Sequence, residues 1–237
     1  MRIRDYLATA EFERVSPNLV AQAAKCPVAV FGDMAGRRNA MNARIQGLGR
    51  HMKVAGPAFT VECRAGDNLM MHVALALAKP GDIIVVDGKN DQSGALCGEL
   101  MATQARAAGL GGFVVDAAVR DTAELADGPF PIFASGRNPC GPTKNIPGKL
   151  CIPLSVGGAM VEPGDLVLGD ADGVMVFPRK EVTKILALID GKLKDESQRI
   201  KEISENKLIS PWLDAAMHQA GILDADESIV ASCDGRK

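Results

Sequence analysis

Apolar residues along this chain switch between helical spacing and unbroken short runs, and the switching predicts its elements. Gly66-Asp67-Asn68 opens a helix, Leu69 to Ala78, which Pro80-Gly81 ends. Asp82–Asp87 (DIIVVD) holds four apolar residues in a row, the pattern of a strand buried on both faces. Residues 88–94 read as a loop, and Ala95–Ala108 as a helix with Gly109 as its stop. Gly112–Ala118 is the next buried strand. Helices and buried strands alternating at this spacing predict parallel pairing through right-handed crossovers.

Upstream, two short helices are expected, Arg4–Arg14 and Pro17–Lys25, the second with Ser16 ahead of a first-turn proline. A short strand follows at Val28–Phe31, then a glycine-rich loop, then strand character at Pro57–Arg64. After residue 128 the pattern becomes β-rich, with short strands near 130–134, 151–156, 166–169 and 173–177. The last two form a hairpin with Ala171-Asp172-Gly173 in its turn. A β-rich half therefore packs on an α/β half in one domain, residues 1–178. Residues 179–237 form a helical extension whose long amphipathic helix runs from Arg179 to about Asn206. At about 40 Å by the helical rise, it is longer than a small core needs, and it is expected to contact a neighbouring subunit.

Composition narrows the class. Across 237 residues, hydrophobic residues make up 47% and aromatics 4%, which suits an α/β enzyme and not a base-stacking surface. A net charge of −2 with no dense basic run predicts no nucleic-acid partner. No apolar run reaches the length of a spanning helix, and the opening MRIRDYLATAEFERV does not read as a signal peptide. A cytoplasmic protein without a membrane partner is expected. The six cysteines, at 26, 63, 97, 140, 151 and 233, form no CxxC pair and read as free thiols in a reducing compartment.

Candidate chemistry concentrates in residues 94–124. Arg120 and Asp121 lie just past a buried strand, at the carboxyl end where α/β sheets bind ligands. An unpaired buried cation is costly, so Arg120 is either paired or faces a cleft, where its guanidinium suits a carboxylate. Asp121 has a second reading, because Asp121 and Glu124 spell a capping box. Gly98, Glu99, Leu100 and Met101 sit near a helix start, where unbonded amides favour anions and Gly98 admits a close approach. The alternative for Gly98 is tight helix–sheet packing.

Other residues carry weaker signals. Asp87 and Asp116 end apolar strands, as loop caps or site-rim carboxylates. Lys89 lies in a polar loop that offers no desolvation, which disfavours a Schiff-base lysine. His51, His72 and His218 show no metal-ligand spacing, and His72 reads as a packed residue. Ser93 lacks a nucleophile elbow, and no dinucleotide or P-loop motif is present. Thr143-Lys144 and the Arg37-Arg38 pair read as solvated, with an anion contact as the alternative.

In order, the segments GPAFTV (56–61), GDNL (66–69), PGDIIVVD (80–87), GELM (98–101), AAVRDTAE (117–124), PIFASG (131–136) and PGDLVLGDADGVMVFP (163–178) resemble the RraA-like family. Within it they are most similar to the 4-hydroxy-4-methyl-2-oxoglutarate / 4-carboxy-4-hydroxy-2-oxoadipate aldolases, over about residues 15–215. The resemblance implies a swivelling β/β/α fold, a homotrimer or a dimer of trimers, and active sites between subunits. It implies a lyase using Mg²⁺ or Mn²⁺ that cleaves a small 2-oxo acid to pyruvate and a second 2-oxo acid, with oxaloacetate decarboxylation alongside. Asp121 would bind the metal directly and Arg120 the pyruvate portion. Gly98, Glu99, Leu100 and Met101 would bind substrate, largely through backbone amides. Glu99, and Glu196 from a neighbouring subunit with Glu202 behind it, would reach the metal through water. Glu99 would also serve catalysis with Arg120. Non-catalytic members that inhibit a ribonuclease share the fold, but they are shorter and do not keep the Arg-Asp pair in this form. A metal-dependent lyase on another 2-oxo acid is the remaining alternative.

Overall fold

The computed structural model describes residues 2–229. The chain divides into two compact units, one ending at Ile189 and the other beginning at Asp190. The first unit is built on one mixed sheet. Its centre is β2 (Val54–Glu62), β3 (Ile83–Ala95), β4 (Gly112–Val119) and β5 (Ile132–Arg137), paired in parallel in that order. β1 (Gln46–Gly47) adds antiparallel to β5. On the other side β9 (Leu166–Asp170) pairs antiparallel with β2, and β10 (Gly173–Phe177) with β9. β6 (Lys149–Leu150) pairs with β2, while β7 (Leu154–Val156) and β8 (Ala159–Val161) form a separate hairpin.

The unbroken apolar runs are buried on both faces, as the pattern requires. Ile84, Val86, Phe113 and Val115 face one core with residues of α4 (Leu69–Leu77) and α5 (Glu99–Ala107). Ile83, Val85 and Val114 face the other, with Phe133, Val167 and Val174. Gly109, at φ +73°, ends α5 in the left-handed conformation expected of it.

Three sequence expectations need correction. Val28–Phe31 is not a strand but part of a helix, α3 (Val28–Met34), which buries Val28, Val30 and Phe31 and sets Phe31 on Phe177 at 4.5 Å. A short apolar run reads alike as strand or buried helical turn, and here Pro27 precedes the helix. Residues 88–94 are not a free loop. They prolong β3 through two register shifts, with Lys89 and Asn90 at positive φ, and Asp91 and Ala95 still pair with β4. The helix expected from Ala95 begins only at Glu99, because the Ala95 and Leu96 amides donate to the Cys140 and Ala118 carbonyls.

The N-terminal helices are shorter than their patterns, α1 at Ile3–Thr9 and α2 at Pro17–Ala23. The Ser16 hydroxyl accepts from the Leu19 amide at 3.4 Å and caps α2. The long helix forms as α7 (Val182–Ser204), with Val182, Ile185 and Ile189 buried. A short α8 (Leu213–Gln219) follows it. Among the described residues no helix is long and apolar enough to cross a membrane. Cys63, Cys97, Cys140 and Cys151 carry free thiols, whereas Cys233 lies outside the described residues. Burial pushes the Cys63 and Cys97 thiols up to about 12, which makes them inert near neutral pH.

Candidate active site

The parallel strands β3 and β4 end side by side, and the chain leaving each supplies one half of the site. After β3 the backbone passes Leu96 and Cys97 and starts α5 with Gly98 as N-cap. After β4 it turns at Arg120-Asp121 into α6 (Thr122–Asp127). The Arg120 amide donates to the Cys97 carbonyl at 3.0 Å, and the Leu96 amide to the Ala118 carbonyl at 2.9 Å, which locks the two exits together.

Asp121 decides between its two readings. It occupies the N-cap position of α6 at φ +57°, yet its carboxylate makes no cap bond there. Instead Oδ2 accepts from the Glu99 amide at 3.0 Å, at the start of the other helix. The capping box with Glu124 does not form. A left-handed backbone in a non-glycine residue is strained, and here it aims the carboxylate across the gap. Arg120 Nε lies 3.6 Å from the same Oδ2. A Cβ at Gly98 would fall 2.3 Å from Asp121 Oδ2 and 2.9 Å from Arg120 Cγ, so only glycine admits this approach.

The first bond within α5 runs from the Ala102 amide to the Gly98 carbonyl, at 3.1 Å. The Leu100 and Met101 amides precede it and lack carbonyl partners in their own helix, which suits an anion. Arg120, Gly98, Leu100 and Met101 line a pocket of about 130 Å³, shared with Asn68, His72 and Lys144. Loop 140–144 closes one side, where Arg120 Nη1 would lie 3.1 Å from a Cβ on Gly141. That loop is anchored by Asp67, whose carboxylate accepts from Leu69 N, Thr143 Oγ1, Asn145 N and Ile146 N. Burial alone would raise the Asp67 pKa, but these four bonds outweigh it and hold it below the ordinary aspartate value.

Arg120, Asp121 and residues 98–101 are thus brought together. Glu99 is exposed at the helix start and joins them through its backbone amide. Glu196 and Glu202 lie on the part of α7 within the second unit, paired there with Lys192 at 3.2 Å and Arg199 at 3.3 Å. Asp116 is structural: it takes Arg44 through both oxygens, at 3.1 and 2.8 Å, and the Gly157 amide at 3.0 Å. Burial works against the Lys89 charge, yet hydrogen bonds to Asp87 and Glu62 hold its pKa above the ordinary lysine value. That pairing argues against a Schiff-base amine there, as the polar loop already did. Arg37 and Arg38 contact Asp33 and Glu181 on an exposed loop.

Sequence reasoning undervalued Asn68, His72 and Lys144. The spacing of Asn68, at the N-cap of α4, and His72, four residues on, was a signal that the two lie near one another. For Lys144 the sequence offered an anion contact only as the alternative to solvation, since the long-range Asp67 contacts are what bring its loop to the pocket.

Among the described residues no three His, Cys, Asp or Glu side chains converge on a cation position. A Mg²⁺-like ion does not need such a cage, because it keeps several waters and uses one or two carboxylates plus substrate oxygens. Asp121 fits that role: its side chain is 38% exposed and its Oδ1 accepts no hydrogen bond from the described residues. The donor set therefore suits a hard divalent cation.

Comparison with known proteins agrees with this architecture. A protein of Halalkalibacterium halodurans named "Putative 4-hydroxy-4-methyl-2-oxoglutarate aldolase" is 35% identical over 202 residues, covering 85% of this chain and 96% of its own. A solved Geobacillus kaustophilus structure, described as an S-adenosylmethionine:2-dimethylmenaquinone methyltransferase, is 32% identical with a TM-score of 0.61. It covers 65% of this chain and 95% of its own. Streptomyces coelicolor RraAS2, described as an unusual member of the RNase ES inhibitor RraA family, superposes with a TM-score of 0.72 at 25% identity, over 80% of this chain and 99% of its own. The family model described as RraA-like, Aldolase/RraA, matches residues 16–176. The chain belongs to the RraA-like family.

Proposed function

We propose that this protein is a divalent-metal-dependent aldolase that cleaves a 4-hydroxy-2-oxo acid to pyruvate and a second 2-oxo acid. The observation that carries this reading is the meeting of Arg120 and Asp121 with the start of α5, beside the pocket that Arg120, Gly98, Leu100 and Met101 line. The aldolase name of the Halalkalibacterium relative supports it.

Asp121 would hold the cation, with Glu99 beside it. When bound, the cation supplies a Lewis acid for the 2-oxo group. Arg120 donates to that same oxygen as negative charge gathers there, a contribution of about 3 kcal/mol by analogy with one oxyanion-hole donor. The Leu100 and Met101 amides bind the adjoining carboxylate at the positive end of α5. In the reaction the C4 hydroxyl loses its proton, C4 becomes a carbonyl and the C3–C4 bond breaks. Its electron pair forms the C2–C3 enolate, which a proton at C3 converts to pyruvate. Oxaloacetate decarboxylation passes through the same enolate and is expected at the same site.

We place a homo-oligomer around this site, with the second unit reaching a neighbouring copy and bringing Glu196. Exposed Ile200, Leu208, Trp212 and Ile222 on that unit support this arrangement. The test is a lactate-dehydrogenase-coupled pyruvate assay over a panel of 4-hydroxy-2-oxo acids and oxaloacetate, with and without Mg²⁺. The likeness to RraAS2 favours one rival, a regulator that binds a ribonuclease. Ribonuclease binding with no pyruvate from any substrate would favour that rival.

A further inference from the structure

Among the described residues the Arg120 guanidinium donates no hydrogen bond, and its ion pair is the 3.6 Å approach to Asp121 Oδ2. On another side it is limited by backbone, where a Cβ on Gly141 would stand 3.1 Å from Nη1. The turn that carries Gly141 is fastened by Asn138. Its Oδ1 accepts from the Cys140 amide at 2.8 Å, and its Nδ2 donates to the Gln92 carbonyl at 2.7 Å. Both ends of the side-chain amide are engaged, and a flip would lose both bonds. The Asn138 backbone amide donates to the Val119 carbonyl at 3.0 Å, one residue before Arg120, and the Ala95 amide to the Cys140 carbonyl at 2.8 Å. Residues 138–141 are thereby tied to the ends of β3 and β4. The tie to β3 comes from its strained prolongation, where Lys89 and Asn90 stand at φ +62° and +52°. Such strain persists only where the surroundings hold it. Gln92 supplies part of that hold: its Nε2 donates to Ser135 Oγ at 3.0 Å, and its side chain fills the place of a Cβ on Gly136.

We propose that Asn138 is a positioning residue for Arg120, closing the 138–141 turn and holding it as the wall that sets the guanidinium. This rests on the aldolase reading of the site, in which Arg120 donates to the 2-oxo oxygen. A guanidinium carries its donors in a rigid planar fork, so a tilt misaims all of them together. With no hydrogen bond from the described residues to hold that fork, the wall supplies the restraint. Asn138 acts through the turn and not on the substrate. Without its side chain the Cys140 amide and the Gln92 carbonyl turn to water, while the Val119 and Ala95 backbone bonds remain. The fold is therefore kept and the restraint on Arg120 is loosened.

The test is a double-mutant cycle on the full-length protein in Mg²⁺, reading kcat/KM for pyruvate release from 4-hydroxy-4-methyl-2-oxoglutarate. Asn138→Ala is made alone and together with Arg120→Ala. Alone it is expected to lower kcat/KM about 10- to 100-fold, the scale of a misplaced catalytic group. Beside Arg120→Ala the same change should cost less than about twofold, because the group it positions is gone. A merely structural role would cost as much in both backgrounds. Gly141→Ala is the second variant, since it keeps every bond of the turn and sets a methyl against Nη1. Its backbone is not left-handed, so alanine fits, and its loss should likewise vanish beside Arg120→Ala. Should Asn138→Ala fail to fold by circular dichroism, Gly141→Ala alone reads the wall. Losses that persist beside Arg120→Ala, or wild-type rates in the single variants, overturn the positioning role and leave the aldolase standing. A wild-type protein that releases no pyruvate from this substrate overturns the aldolase reading, and the positioning role falls with it.

Discussion

Asp121 accepts a hydrogen bond from the Glu99 amide at 3.0 Å, although it stands at the N-cap of its own helix and makes no cap bond there. The carboxylate joins two helix starts that follow adjacent parallel strands. That contact holds the arginine, the acid and the free amides in one place.

The joint should tolerate no side chain at position 98. Gly98→Ala would place a Cβ 2.3 Å from Asp121 Oδ2, and the carboxylate is the group that must move. The backbone there is extended, so the fold should survive. A displacement near 1 Å costs about 100-fold in rate. Pyruvate release should therefore fall by about that factor, with an unchanged circular dichroism spectrum.

Asp67 should make the pocket loop acid-sensitive. Its folded pKa lies below the ordinary value, because bonds from Asn145, Thr143, Leu69 and Ile146 outweigh burial. The stabilisation is therefore fully present above the unfolded aspartate pKa of about 3.9. It is lost as pH falls through the lower folded value. Urea unfolding across the acid range should show stability declining on that limb, and Asp67→Asn should flatten the decline while lowering stability at neutral pH.

The exposed apolar residues of the second unit should govern assembly. Ile200 is 68% exposed and Trp212 65%, a poor arrangement for side chains left in water. A double variant, Ile200→Glu with Trp212→Lys, should shift the mass measured by light scattering toward the monomer. An unchanged mass would place the interface elsewhere.

Much of the fold was legible because both-face burial writes itself as short apolar runs without polar alternation, as in IIVV and FVV. What misled was local ambiguity. VAVF reads as strand or buried helical turn until its partner, Phe177, is known. DTAE spells a capping box, but a carboxylate can cap a helix 22 residues away when the fold brings it there. The Arg-Asp pair and the GELM turn were visible as motifs. The polar wall of Asn68, His72 and Lys144 was not, since it depends on a loop anchored by Asp67 across more than 70 residues of sequence.

The central claim is that Asp121 holds a divalent cation on which pyruvate release depends. The direct measurement is the coupled pyruvate assay on 4-hydroxy-4-methyl-2-oxoglutarate, comparing wild type with Asp121→Asn in EDTA and then in excess Mg²⁺ or Mn²⁺. Turnover should vanish in EDTA and return with metal in the wild type, while Asp121→Asn stays inactive and folded. Cleavage that survives chelation, or near-wild-type rates in Asp121→Asn, would contradict the claim.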